Sequence, residues 1–346
     1  MVQYLLEASQ VTDFVSHLCE RKTVYAPHRK GRRSFAFDEV TDPDAVVLDY
    51  DRSLHSVKKY FLPPQERLLS FNIIENDFES SETLPLEAVF LGVHSYDMQA
   101  VLKLDHNFSL GHPEKHYLVR REGAVFIGVS FEPDPWHFSG SVGIGSREMR
   151  GFDMFLDKVE AGYVVTAMTE AGIDLLVGFE ITEWTDHLAT EPGFQQHIYV
   201  PQDKLGKVFD DSWNNAVWQE VAEQCTGCGT CNLVCPTCYC FDVEDTVDIT
   251  VTRGTRDRSW DGCMLRPFTE VAGGEIFREE LSARQRHRIY RKFKYISDET
   301  SEPWCVGCGR CTQSCTARIS IVSIVNRLVN DHNRDAEPPR GAGGQA

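Results

Sequence analysis

Four cysteines spaced C-x2-C-x2-C-x3-C occur twice in this chain, at Cys225, Cys228, Cys231 and Cys235 and again at Cys305, Cys308, Cys311 and Cys315. Two-residue gaps let one tight loop turn three thiolates toward a common centre. The fourth cysteine, just past the loop, usually reaches the cluster held mainly by the other run. The spacing therefore predicts two [4Fe–4S] clusters. One would take Cys225, Cys228, Cys231 and Cys315, the other Cys305, Cys308, Cys311 and Cys235. Glycines in CTGCGTC and CVGCGRC suit a loop that must bend inward and let amide donors approach sulfur. Zinc is the competing metal, but zinc sites usually pair two separated C-x2-C knuckles or mix cysteine with histidine. Pro236 follows the first run and Thr316 the second, so only the first carries a proline to fix the chain reversal.

Of the 12 cysteines, all but Cys19 lie between Cys225 and Cys315. Cys19 reads as a partly buried thiol in a helix. The N-terminal MVQYLLEASQVTDF lacks the basic start and apolar run of a secretory leader, so a disulfide framework is not expected and a cytoplasmic setting is. Cys238, Cys240 and Cys263 leave two readings open. They are spare thiols beside a metal site, or ligands of a third cluster completed by a non-cysteine group.

A formal net charge of -17 argues against a nucleic-acid partner, which needs clustered positive charge. No stretch approaches the roughly 18 apolar residues of a membrane span, so no membrane insertion is expected. Positive charge does gather near the cysteines, at Arg253, Arg256 and Arg258 and at Arg284, Arg286, Arg288, Arg291, Lys292 and Lys294. It reads as a solvated face, as an offset to anionic clusters, or as a docking surface for a flavin or pyridine-nucleotide subunit.

The order of elements predicts an α+β chain. YLLEASQVTDFVSHLCE has a rough helical period, and TVYAPHRKGRRSFAF reads as strand, basic turn and strand. Pro63-Pro64 breaks any helix. EAVFLGV and GAVFIGVSF suit buried strands, and YDMQAVLKLDHNF has helical spacing. Residues 1–210 thus read as a mixed α/β domain and 211–332 as a helical, ferredoxin-like two-cluster domain. In the latter, each cysteine loop leads into a helix and EELSARQRHRIYRKFKY forms another. Residues 333–346, rich in Pro, Gly and Ala, read as a disordered tail.

The block CTGCGTCNLVCPTCYCFDV, with RSWDGCM, AGGEIFRE, RHRIYRKF and CVGCGRC, resembles the beta subunit of cytoplasmic sulfhydrogenases and, equally, the related iron–sulfur subunit of anaerobic sulfite reductase. VYAP, KKYFLPPQERLL, VFLGVHSYDMQAVLKLDHNF and GFDMFLDKVEAGYVV extend the resemblance over nearly the whole chain, more loosely in this first half. The resemblance implies an electron-transfer subunit that relays between a flavin subunit meeting NAD(P)H and a catalytic partner. That partner would be a hydrogenase, a sulfite or sulfur reductase, or a heterodisulfide-reductase-like enzyme. FAD and NAD(P) would then sit on the partner, not on this chain. Relatives commonly carry a cysteine–aspartate pair and a Cys-Phe-Cys where this chain has Tyr96-Asp97 and His137-Phe138-Ser139. An extra cluster bound there in relatives would lack several ligands here. His137 would be either a replacement ligand or an ordinary core or surface histidine.

Two other functions compete. A self-contained reductase would bind nucleotide on the α/β domain, yet GSVGIGSREMRG lacks the full G-x-G-x-x-G and follows no clean strand. A structural or redox-sensing role would use the clusters to hold the fold. No hydrolytic triad or H-E-x-x-H is present, so no catalytic residue is assigned.

Overall fold

The computed structural model describes residues 2–336. Two sheets organise the chain. The larger contains β1 (Gln3–Glu7), β2 (Thr23–Arg29), β3 (Phe35–Glu39), β6 (Ala88–Val93), β7 (Val125–Val129), β8 (Met154–Val159), β9 (Gly162–Ala167) and β10 (Thr182–Glu183), in the order β10-β1-β9-β8-β7-β6-β2-β3. Its centre, β2-β6-β7-β8, is parallel, and the flanking pairs are antiparallel. The smaller is antiparallel, built from β4 (Gln65–Asn72), β5 (Asp77–Ser80), β11 (Phe241–Val247) and β12 (Arg253–Trp260) in the order β11-β12-β4-β5. The fold is α+β.

Every residue of β6 and β7 is buried, which explains why both read as unbroken apolar runs rather than alternating ones. Their rings stack, with Phe90 and Phe126 centroids 5.3 Å apart. Phe14 and Leu18 of α1 (Val11–Arg21) and Tyr117 of α4 (Lys115–Arg121) join the same core. So do Phe61 of α2 (Lys58–Phe61) and Met98 and Leu104 of α3 (Ser95–Ser109). A short helix, α5 (Glu170–Asp174), follows β9.

A second core gathers the helices of the cysteine-rich half: α6 (Gln202–Asp210), α7 (Val217–Gln224), α9 (Leu281–Phe293) and α12 (Ile321–Ala336). Between them lie α8 (Thr230–Leu233), α10 (Tyr295–Thr300) and α11 (Arg310–Gln313). Trp218, Tyr290, Phe293 and Leu328 fill this core, and Tyr96, Phe131 and Phe138 of the first half pack into it. The halves therefore share this core, and they also meet where β12 pairs with β4.

Three expectations change. The first helix does not begin at Tyr4. Residues 3–7 form β1, paired on both sides by β9 and β10, and only the turn after Glu7 leads into α1. Strands also occur in the cysteine-rich half. β11 is exposed along its length, with Phe241, Val243 and Val247 alternating on a face that no core covers. Finally, α12 runs to Ala336, past residue 333 where the tail was expected, and residues 337–346 lie outside the described residues.

Candidate metal centres

The two cysteine runs adopt one conformation. Gly227 and Gly229 have φ of 68° and 74°, and Gly307 and Gly309 have 66° and 72°, in a region open to glycine and strained for other residues. Gly229 and Gly309 each begin a short helix, α8 and α11, which lie against each other. Each loop aims an amide at its first sulfur: Gly227 N–H donates to Cys225 Sγ at 3.4 Å and Gly307 N–H to Cys305 Sγ at 3.5 Å. Gln285 Nε2 adds a donor to Cys225 Sγ at 3.1 Å, and Ile319 N–H donates to Cys315 Sγ at 3.4 Å. Such donors suit thiolate sulfur that carries negative charge in a bound cluster.

The thiols line two neighbouring cavities. Cys225, Cys228, Cys231 and Cys315 surround the first, with an empty volume of about 470 Å³. Cys235, Cys305, Cys308 and Cys311 surround the second, of about 330 Å³. Each cavity takes three cysteines from one run and the fourth from the other, and Cys311 lies on the wall of both. Among the described residues no three His, Cys, Asp or Glu side chains are grouped to hold a single metal ion. The thiols instead ring cavities, a donor set that fits iron–sulfur clusters.

Burial pushes the Cys231 thiol up to about 12 and the Cys308 thiol up to about 11. Thiolates here therefore need compensating positive charge, and α9 brings it. Arg284, Arg288 and Lys292, four residues apart, form one buried face of that helix. Arg288 lines both cavities and Lys292 the second. Burial opposes the charge on Arg288, but Cys231, Cys311, Cys235 and Cys238 around it hold it well above its ordinary value. Lys292, likewise penalised by burial, is raised by Cys235 and Cys238 and donates to Thr237 Oγ1 at 2.7 Å. Lys58 is a further buried cation: its Nζ donates to the carbonyls of Cys235 and Cys238 and lies 3.9 Å from the Trp260 ring centroid. Burial pushes it down to about 8.

The remaining cations of the run sit differently. Arg258 is buried against Glu66 and Glu114 and lines none of the cysteine cavities. Arg256 pairs with Asp245 on the surface, and Arg286 lies over the exposed Trp213 ring. Lys294 pairs with Asp210 and Asp298.

The second cysteine loop is seated on the carboxyl ends of the parallel strands, where open α/β sheets place their ligands. Asp97, in the first turn after β6, accepts both guanidinium arms of Arg310 at 2.6 and 2.7 Å; both side chains are buried. Arg310 also donates to the carbonyl and hydroxyl of Ser53. Arg52 reaches Cys308 O at 2.8 Å and pairs with Asp134 in the loop after β7. From that loop, Phe138 N–H donates to Gly307 O at 2.9 Å. A Cβ on Gly307 would overlap the Ser139 backbone, so glycine is required there for approach as well as for φ. None of this seat was legible in the sequence, because Arg310 is one letter inside CVGCGRC and its partner is 213 residues away.

His137 is fully buried against Tyr96 and Phe131 and lines none of the cysteine cavities. Its Nδ1 accepts from Asp134 N–H, and burial pushes the ring pKa far down. It is placed as a core histidine. GSVGIG follows no strand: Ser139–Val142 is a single 3-10 turn, separated from β7 by the loop after Val129. Cys238, Cys240 and Cys263 line a third cavity, beside the second. Cys19 lies in α1, half-buried at the edge of the first core.

Comparison with known proteins gives two matches. The 4Fe-4S dicluster domain family matches residues 224–319. Over 334 residues, 93% of this chain and 97% of the relative, the chain is 32% identical to the subunit beta of sulfhydrogenase 2 from Pyrococcus furiosus. No solved structure matches the chain.

Proposed function

The chain belongs to the family of sulfhydrogenase beta subunits, and from that membership we propose that it relays electrons from a flavin- and NAD(P)H-linked partner to a catalytic oxidoreductase subunit, or in the reverse direction. The chain is an iron–sulfur electron-transfer subunit of a hydrogenase or reductase. Among the described residues no helix is long and apolar enough to cross a membrane. We further propose a cytoplasmic setting, which suits cysteines spaced for cluster ligation rather than for disulfides.

The observation that carries the reading is the crossed grouping of the eight motif cysteines around two cavities with a shared wall at Cys311. We assign Cys225, Cys228, Cys231 and Cys315 to one [4Fe–4S] cluster and Cys235, Cys305, Cys308 and Cys311 to the other. When bound, the clusters supply one-electron carriers. The chain's own residues hold them in place and set their surroundings. Gly227, Gly307, Ile319 and Gln285 donate to ligand sulfurs, and Arg288 and Lys292 place positive charge on the cavity walls. Hydrogen bonds, net charge and burial are what tune the potential of such centres.

The test is anaerobic reduction of the purified chain. Dithionite should bleach the cluster absorbance and an oxidised viologen should restore it, while NADH or NADPH alone should do nothing. Stoichiometric bleaching by a pyridine nucleotide without partners would make the chain a self-contained reductase instead.

A further inference from the structure

Besides Cys19, three cysteines lie outside the two motifs, and the fold brings them to one cavity. Cys238 and Cys240 leave the first cysteine run on the stretch that enters β11, and Cys263 follows β12. Because β11 and β12 form one hairpin, positions far apart in sequence return to a single cavity that opens to solvent. We propose that this cavity is a third iron–sulfur site, with Cys238, Cys240 and Cys263 as its thiolate ligands and the fourth corner turned toward His287.

Four observations support it. Asn232, 1% exposed, has its carboxamide oriented by Met264 N–H, which donates to Oδ1 at 3.0 Å. That leaves Nδ2 to donate to two sulfurs at once, Cys263 Sγ at 3.5 Å and Cys238 Sγ at 3.6 Å. One buried amide serving two thiols repeats what Gln285 and the loop amides do for the motif cysteines. Second, Arg288 and Lys292, which line the motif cavities, line this one too, so the same buried face of α9 faces all three. A cavity holding only neutral thiols would give those two cations less reason to be here. Third, the chain is committed to the geometry. Gly262, just before Cys263, presses against the Asn232 side chain, where a Cβ would collide. Lys58 holds the Cys238 carbonyl from the other side. Fourth, among the described residues His287 is the only imidazole on this wall, and histidine replaces cysteine as a ligand in some iron–sulfur centres.

The placement gives the relay a third station. Cys238 follows Cys235, a wall residue of the second cavity, by three positions, and the first and second cavities already share Cys311. The order is then first cavity, second cavity, third cavity, with the third opening beside exposed aromatic Phe241.

The proposal is tested on the full chain, purified anaerobically, by iron and acid-labile sulfide content beside the variant Cys238→Ser/Cys240→Ser/Cys263→Ser. Three cubanes give about twelve irons in the natural chain and about eight in the variant, with the spectra of the motif clusters kept. About eight irons in both would overturn the third site while leaving the two-cluster relay intact. One zinc alongside eight irons would also overturn it. Should the variant fail to fold, alkylation of the natural holoprotein decides. Protection of Cys240 and Cys263 until iron is chelated supports the site, and labelling of Cys240 in chain that keeps its full iron refutes it. His287→Cys should preserve the iron count and change the spectrum of the third centre alone; an unchanged spectrum removes His287 from the proposed site.

Discussion

Replacing Asp97 by asparagine should unseat the second cysteine loop. Arg310 is 1% exposed and its two arms end on the Asp97 carboxylate, itself fully buried, at 2.6 and 2.7 Å. Asparagine keeps the shape but removes the charge and one acceptor. A guanidinium would then remain buried without a counter-charge. Breaking a buried pair in this one-sided way costs about 3–5 kcal/mol, because desolvation of the surviving ion is no longer offset. With a denaturant slope of about 3 kcal/mol per molar urea, the midpoint should fall by about 1 M or more. A chain with bound clusters need not unfold in one step, so midpoints should be compared in one buffer rather than extrapolated energies. Asp245→Asn, which breaks the exposed pair with Arg256, is the control and should leave the midpoint where it was. Because Arg310 lies between Cys308 and Cys311, the Asp97 variant should also lose iron from the second cavity before the first. The double change Asp97→Leu/Arg310→Met should recover part of the lost stability. An Asp97→Asn midpoint no lower than that of Asp245→Asn would refute the claim that this pair seats the loop.

Gly307→Ala should strip the second cavity, lowering iron by about four per chain, because a Cβ would overlap the Ser139 backbone at a φ of 66°. Gly229→Ala meets only the Leu265 side chain and should lose less iron, read by the same metal analysis. Arg288→Gln should make the clusters harder to reduce. A unit charge across a cavity wall at an effective dielectric of about 20 is worth on the order of 2 kcal/mol, or on the order of 100 mV for a one-electron couple, measured by redox titration. Asp157 gives a pH signature: burial pushes its carboxyl up to about 6, against the pull of Arg147. Its folded value exceeds its unfolded one, so it withdraws stability as pH rises from about 4 to about 6. Asp157→Asn should flatten that part of a urea-midpoint profile and leave the rest of the curve unchanged.

Much of the metal chemistry was legible because iron–sulfur ligation is written in local spacing. The cysteine runs and their glycines state the loop conformation almost directly, and Gly227 and Gly307 adopt it within 2° of each other in φ, 68° against 66°. The buried strands β6 and β7 were equally plain. What the sequence hid lies in long-range pairing. β1 was read into the helix because Val11, Phe14, Val15 and Leu18 recur at helical intervals just after it, and only pairing with β9 and β10 makes residues 3–7 extended. β11 and β12 are rich in charge and sit inside the cysteine-rich segment, where helices are the expected elements, yet their hairpin returns Cys263 to Cys238 and Cys240. The split of the basic run is written in its spacing. Arg284, Arg288 and Lys292 recur at intervals of four in a good helix former, while Arg286 falls on another face. A charged run with helical periodicity was a sign of a cation-lined interior, and composition alone reads it as a solvated surface.

The most direct test of the iron–sulfur relay is low-temperature EPR of the anaerobically purified, dithionite-reduced chain, with iron, zinc and acid-labile sulfide measured on the same sample. Iron and sulfide in equal amounts, at least about eight of each, with broadened signals from reduced clusters interacting across the Cys311 wall, is the expected result. Zinc in place of iron, or iron without sulfide and no signal on reduction, would contradict the electron-transfer function and leave the cysteine loops as structural knots.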